Sequence, residues 1–174
     1  MADDSLRTPR LTLRRAKDAD IATIHGLVSD FAMVRMLGNW PWPADLAATR
    51  LRCFSDDPSH ADIAVIEYQG RVVGLISIVR LRLGYFLSDD VAGQGLATEA
   101  ARAMINAAFQ RDDVQYLVSG AWHDNPGSLR VQKKCGFEVI GQHEEPCAAR
   151  GETVLHIDTR LMRADWARQD WANG

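Results

Sequence analysis

A strand-like run that breaks at two glycines and restarts as a helix is the segment of this 174-residue chain best suited to chemistry. It reads Tyr85-Phe86-Leu87-Ser88-Asp89-Asp90-Val91-Ala92-Gly93-Gln94-Gly95-Leu96-Ala97-Thr98-Glu99-Ala100. First-turn amides of a helix have no intrahelical acceptor, and the helix dipole places partial positive charge there. Gly93 and Gly95 carry no Cβ, so an anion can come close to the backbone. Such a turn holds phosphate without a lysine. Two better-known phosphate loops do not fit. A dinucleotide loop closes Gly-x-Gly-x-x-Gly on a third small residue, and Thr98 stands there; a nucleoside-triphosphate loop needs Gly-Lys-Ser/Thr, which is absent. The alternative is that the glycines make only a tight turn.

A second segment follows: Trp122-His123-Asp124-Asn125-Pro126-Gly127-Ser128-Leu129-Arg130-Val131-Gln132-Lys133-Lys134-Cys135-Gly136-Phe137. Asn125 and Pro126 suit the cap and first position of a helix, and Cys135-Gly136 suits its end. Ser128 lies one turn in. Cys135 has no base partner in view, which argues against a nucleophile.

The elements that must carry these segments follow from periodicity. Leu11-Thr12-Leu13-Arg14 alternates as a half-buried strand does, and 18 to about 30 reads as a helix with Ile21, Ile24, His25 and Val28 on one side. Trp40-Pro41-Trp42-Pro43 breaks the pattern, and a second helix is expected over 44–54, ended by Asp57-Pro58. Strands over 63–68 and 71–79 flank the turn Gln69-Gly70, and a third over 81–87 follows a short connection. A helix over 97–109 carries the stripe Ala97, Ala101, Met104, Ile105, Ala108. Strands at 116–122, 137–140 and 153–162 complete the pattern: mixed α/β, a mostly antiparallel sheet flanked by helices and interrupted by one strand–helix–strand crossover.

Composition bounds the rest. Apolar residues make up 47% and charged residues 25%, enough for one domain with a real core, and no repeat or linker divides 1–174. A net charge of −3 with no basic run gives no support to nucleic-acid binding. The start, Met-Ala-Asp-Asp-Ser, lacks the layout of a signal peptide, and no apolar stretch is long enough to cross a bilayer, so no membrane role and a cytoplasmic location are expected. Cys53, Cys135 and Cys147 match neither a disulfide framework nor a metal site, so no metal is expected. Trp40 and Trp42 fit either an acceptor entrance or an anchor into the core. Trp166 and Trp171 fit either packing on the sheet or contact with a second copy, which leaves a homodimer open.

Taken together, the two segments resemble the GCN5-related N-acetyltransferases (GNAT), in the branch that includes the ribosomal-protein N-terminal acetyltransferases. The first is similar to that family's acetyl-CoA loop, Arg/Gln-x-x-Gly-x-Gly/Ala, and the second to its Asn-x-x-Ser helix ending in Gly-Phe. Leu6-Arg7-Thr8-Pro9-Arg10-Leu11-Thr12-Leu13-Arg14 resembles the branch's opening strand, and Leu161-Met162-Arg163-Ala164-Asp165-Trp166 its final one. Ala92 departs from the pattern, standing where the family usually has Arg, Gln or a large residue. The resemblance implies the GNAT-like fold, with the crossover carrying the CoA loop, and acetyl transfer from acetyl-CoA to a primary amine by direct attack in a ternary complex. The acceptor would be a protein N-terminal α-amine or a small-molecule amine.

Site roles follow from the same resemblance. The backbone of Phe86 and Leu87 would pair with the pantetheine arm, one amide facing the thioester oxygen. The amides of Gly93, Gln94, Gly95, Leu96, Ala97 and Thr98 would hold the diphosphate. Asn125 would hydrogen-bond the pantetheine or cap its helix. Ser128 stands where the family places a hydroxyl near the sulfur, as general acid; the alternative is an exposed helix serine. For the base, His123 has a suitable ordinary pKa of about 6.5. Glu67 shares a face with Ile63 and Val65, an apolar setting that raises a carboxylate pKa. A water relay is the third option. Lys133 and Lys134 fit the cofactor's 3′-phosphate or plain surface charge. Two rival functions remain: a non-catalytic acyl-CoA-binding sensor or assembly module, and a transferase using another acyl-CoA such as succinyl-CoA.

Overall fold

The computed structural model describes residues 5–54 and 61–172. The Asp57-Pro58 break and the first four residues of the Met-Ala-Asp-Asp-Ser start lie outside the described residues. The chain opens with β1 (Leu6–Arg7) and β2 (Leu11–Arg14), and a 3₁₀ turn at Asp18–Asp20 leads into α1 (Ile21–Val28), α2 (Phe31–Val34) and α3 (Leu46–Cys53). The strands β3 (Ala61–Tyr68), β4 (Arg71–Val79) and β5 (Arg82–Leu87) precede α4 (Leu96–Phe109) and β6 (Tyr116–Trp122). The chain closes with α5 (Pro126–Lys134), β7 (Glu138–Cys147), β8 (Glu152–Met162) and α6 (Arg163–Trp166).

One eight-stranded sheet has the order β1-β2-β3-β4-β5-β6-β8-β7. Its single parallel pair is β5 with β6, joined through α4, and the other pairs are antiparallel. This is the expected mixed α/β fold. The β4–β5 connection is a two-residue turn, Arg80-Leu81, with φ of 49° and 64°. Positive φ at both central residues matches the right-handed twist of the strands that such a hairpin joins.

The helix expected from 18 to about 30 is present as the 3₁₀ turn and α1, and the sequence reading missed only the short α2 that follows it. Asp30 is extended and its carboxylate accepts from the Ala32 amide at 2.8 Å, so it ends one helix and caps the next. Strand β7 runs to Cys147, well past the expected 140. It is the sheet's edge, exposed along nearly its whole length, so it lacks the apolar alternation by which strands are read.

Two cores cover the two faces. On one, Ala100, Ala101, Met104, Ile105 and Ala108 of α4 pack on Leu13, Ile76 and Leu117. On the other, Ile24 and Val28 of α1 pack with Trp40, Val65, Leu75, Phe86 and Trp122. The tryptophans divide accordingly. Trp40 is buried edge-on to Phe86 at 5.5 Å, whereas Trp42 is exposed against Phe31. Trp166 is buried, stacked on Phe109 at 4.9 Å with its indole N–H donating to Asn106, and Trp171 packs on the same core. Among the described residues, no helix is long and apolar enough to cross a membrane.

Candidate active site

The site begins with a seam that opens. β5 and β6 pair at Arg82 and Val118, where the Val118 amide donates to Leu81 O at 2.9 Å and Ser119 Oγ donates to Leu83 O at 3.0 Å. Beyond Leu83, no described β6 residue pairs with β5. The phase of the β4–β5 ladder decides which backbone groups face this cleft. The tight turn makes Val79 and Arg82 a bonded pair, and the Ser88 amide donates to Val73 O at 2.7 Å in the same phase. Bonded and non-bonded pairs alternate, so Phe86 spends its amide and carbonyl on β4 while Tyr85 and Leu87 turn theirs into the cleft. The Phe86 side chain lies in the core beside Trp40. Sequence reasoning placed the strand but not its phase: of Phe86 and Leu87, Leu87 turns its backbone groups into the cleft.

Below the cleft, the glycine loop has the geometry that the residue types anticipate. Gly93 and Gly95 have φ of 75° and 79°, and Gly95 caps α4. The first bond of the helix runs from the Glu99 amide to Gly95 O, so the amides of Leu96, Ala97 and Thr98 point out of the helix end. Open space surrounds the missing Cβ of Gly93. Ala92 and Gln94 are exposed.

Arg10, which sequence reasoning did not single out, braces this loop. Its guanidinium donates to Gln94 O at 2.9 Å and to Glu99 Oε2 at 2.7 Å, and its amide donates to Glu99 Oε1. Thr8 Oγ1 also donates to Glu99. Burial alone would push Glu99 up, but these hydrogen bonds hold its carboxyl below the usual range. The contact joins residues 84 and 89 positions apart, and no local pattern signals it.

Above the cleft, α5 presents Ser128. Asn125 caps the helix, its Oδ1 accepting from the Ser128 amide at 3.1 Å. Ser128 Oγ lies 3.0 Å from Tyr85 Oη and accepts from Gln132 Nε2 at 3.1 Å. Gln132, 1% exposed, also donates to Gly120 O at 3.0 Å and accepts from Thr159 Oγ1 at 2.6 Å. Burial pushes the Tyr85 hydroxyl up to about 12, so it stays a protonated donor at neutral pH. Tyr85 Oη can donate to Ser128 Oγ, to which Gln132 also supplies an N–H. The serine proton is then available to a third group. Ser128 is thus part of a buried network and only half-exposed. Tyr85 and Gln132 as its partners were legible only in the fold.

The candidate bases are not gathered there. Glu67 faces Arg14, not an apolar pocket: Arg14 Nε donates to it at 2.9 Å and binds Asp20 through two further bonds of 2.8 and 3.0 Å. The register shift at Glu67 leaves Val73 unpaired on β4, so β3 keeps its alternation and Glu67 stays on the face of Ile63 and Val65, where Arg14 meets it. His123 continues β6 by donating its amide to Leu155 O, and its side chain is exposed, with no hydrogen-bond partner among the described residues. Lys133 and Lys134 are exposed on the last turn of α5. Cys135 is buried, which pushes its thiol up to about 11 and away from nucleophilic chemistry.

Beside His123, Asp124 forms a clamp. It accepts two bonds of 2.9 Å from Arg150 and one of 3.1 Å from Arg35, and Arg150 also donates to Arg35 O. The end of β6, the α2 region and the β7–β8 loop are thereby held together at one rim of the cleft. The Arg150 guanidinium holds the Asp124 carboxyl below its usual range.

Comparison with known proteins places this geometry. The family model described as an acetyltransferase (GNAT) domain matches residues 10–138. A probable N-acetyltransferase of Bacillus subtilis, YjcK, is 32% identical over 103 residues, covering 55% of this chain and 57% of the relative. A putative ribosomal N-acetyltransferase of the same organism, YdaF, is 25% identical over 118 residues, covering 62% and 64%. The matches therefore span less than two thirds of either relative. Spermidine N-acetyltransferase from Vibrio cholerae, solved with CoA and spermine, superposes with a TM-score of 0.79 at 16% identity, covering 92% of this chain and all of that one.

Proposed function

The chain belongs to the GNAT acetyltransferase family, and on that premise we propose that it transfers the acetyl group of acetyl-CoA to a primary amine. One observation carries the reading. The Tyr85–Leu87 edge runs in a single open seam from the outward amides of α4 to Ser128 Oγ. A CoA thioester has the matching order of parts, an anionic diphosphate, an amide-bearing arm and a sulfur. Residues 1–174 act as one domain in this reading, located in the cytoplasm.

The loop amides and helix dipole hold the diphosphate, with Arg10 keeping the loop in place. The backbone groups of Leu87 pair with the arm as an added strand would, and the Tyr85 amide faces the thioester oxygen, where negative charge grows during attack. The thioester supplies the activated acetyl group. Ser128, its lone pairs engaged by Gln132 and Tyr85, gives its proton to the departing sulfur. Glu67 is committed to Arg14, so the amine proton leaves through water, with His123 the remaining side-chain candidate. Alignment of two reactants in one cleft supplies much of the acceleration, since effective molarity is worth roughly 7–11 kcal/mol.

The acceptor is either a protein N-terminal α-amine or a small-molecule amine, and named relatives of both kinds support each. The deciding experiment is thiol release from acetyl-CoA against a panel of peptides with free N-termini and of small polyamines. Turnover on one class is expected. Acetyl-CoA binding without turnover on any acceptor would instead make the protein a non-catalytic module.

A further inference from the structure

The β7–β8 hairpin carries a second group of chemistry-bearing side chains, outside the transfer site. His143 lies directly opposite His156 in the register, and Glu145 and Asp158 are each two residues further along their own strands. Period-two alternation brings all four onto one face of the hairpin. The contacts close a ring. His143 Nδ1 lies 2.7 Å from Asp158 and its Nε2 3.3 Å from Glu145, while His156 Nδ1 lies 3.2 Å from Asp158 and its Nε2 3.9 Å from Glu145.

The surroundings fix this ring of groups in place. His156 is buried edge-on to Trp122 at 5.3 Å. Its ring lies over Gly120, where a Cβ would come within 2.2 Å of His156 Cε1. Gly141 faces Asp158 across the register, so no side chain fills the space opposite that carboxylate.

Hydrogen-bond counting shows what the group lacks. Four imidazole nitrogens face two carboxylates, yet two neutral imidazoles carry only two N–H groups. Three of the nitrogens lie within hydrogen-bond distance of a carboxylate oxygen and His156 Nε2 lies at 3.9 Å, so one ring lone pair is left against a carboxylate oxygen. A dication removes the conflict by taking one nitrogen from each ring and balancing both carboxylates, while the two remaining N–H groups stay bonded to carboxylate oxygens as outer supports. One donor atom each from His143, His156 and Asp158 already lie within 4.8 Å of one another. Ligand distances of about 2.0–2.2 Å around zinc place tetrahedral donors about 3.4 Å apart, so these atoms draw together on binding.

We propose that His143, His156 and Asp158, with Glu145 beside them, form a binding site for a divalent transition-metal ion of the zinc class. Two imidazoles favour such an ion over magnesium or calcium, which prefer oxygen ligands alone. The ion ties β7 to β8 where β6 lines the cleft through Gly120 and Trp122. The inference does not depend on the transfer reading.

The test uses the untagged full chain, stripped of metal, and titrates it with Co²⁺ in the visible spectrum and with Zn²⁺ by calorimetry. One equivalent should bind, with the intense d–d bands of a four-coordinate ion, and Zn²⁺ should raise the melting temperature. His143→Ala and Asp158→Asn, shown to be folded by circular dichroism, should each weaken binding at least tenfold and abolish the thermal shift. Their acetyl-CoA affinity should match the parent's. Absence of stoichiometric binding, or unchanged affinity in folded His143→Ala, overturns the site. A sulfur-to-cobalt charge-transfer band overturns it too, by moving the metal to the cysteines.

Discussion

At the scale of single residues, the proposed chemistry rests on Ser128 and on what surrounds it. Tyr85 and Gln132 engage its oxygen, so the hydroxyl is oriented before any substrate arrives. Replacing Ser128 with Ala should lower kcat by about a hundredfold while the acetyl-CoA dissociation constant moves by less than about twofold, as for loss of a group used only in the transition state. Stopped-flow binding and steady-state kinetics on one preparation would check this, and an unaltered kcat would remove Ser128 from the mechanism. Tyr85→Phe should give a smaller fall in kcat, since the backbone amide facing the cleft is kept while the side-chain donor is lost. Gly95 makes a different demand. Its φ of 79° is strained for any β-branched residue, and a Cβ there would meet the Arg10 guanidinium that braces the loop at 3.7 Å. Gly95→Val should weaken acetyl-CoA binding at least tenfold, about 1.4 kcal/mol by calorimetry. Ala92, where the family pattern fails, adds no side chain over the diphosphate, and Arg10 is the cation that the fold brings to the loop instead.

At the scale of elements, two devices place those residues. The first is the parting of β5 and β6 after Leu83, which leaves an edge of backbone with donors and acceptors exposed inside the molecule. The second is the Asp124 clamp, which fixes α2, the end of β6 and the β7–β8 loop together. The Arg150 side chain is only 7% exposed, so removing its partner leaves a cation poorly solvated. Asp124→Asn should therefore cost about 2–4 kcal/mol near pH 7 in urea unfolding. The pH dependence has a definite sign. The Asp124 carboxyl is held below its usual range in the folded chain, so between its folded and unfolded values the unfolded state binds more protons. Its contribution is complete above an ordinary Asp value of about 3.9 and fades as pH falls through the lower folded value. The gap between parent and Asp124→Asn should shrink below about pH 4; a gap that stays constant to pH 2 would show that the clamp does not act through charge. The elements differ in how plainly the chain announces them. Arg71–Val79 and Tyr116–Trp122 match their expected limits because their buried residues and flanking turns mark them. The short α2 was missed because Asp30 can cap a new turn as easily as end an old one.

At the scale of the whole molecule, cofactor binding and folding are coupled. The loop, Arg10 and Glu99 connect β1–β2 to α4, so a bound diphosphate braces elements far apart in the chain. Saturating acetyl-CoA, at about a hundred times its dissociation constant, should stabilise the fold by about 2.7 kcal/mol, which for a chain of this size is a melting shift of roughly 5–10 °C. Differential scanning calorimetry should show that shift in the parent and little of it in Gly95→Val. The glycine loop, the Asn125 cap, the helical stripe of α4 and the ending at Gly136 were decided by the sequence alone, because each depends on residues within a few positions of one another. The phase of β5, the commitment of Glu67 to Arg14 and the network around Ser128 were decided only by tertiary structure. So was the face shared by His143, Glu145, His156 and Asp158. Strand phase is set by a turn and read out several residues away, and a one-residue change reverses which backbone groups face the cleft. The side-chain partnerships join positions up to 115 apart, where no periodicity connects the residues and only packing brings them within hydrogen-bonding distance.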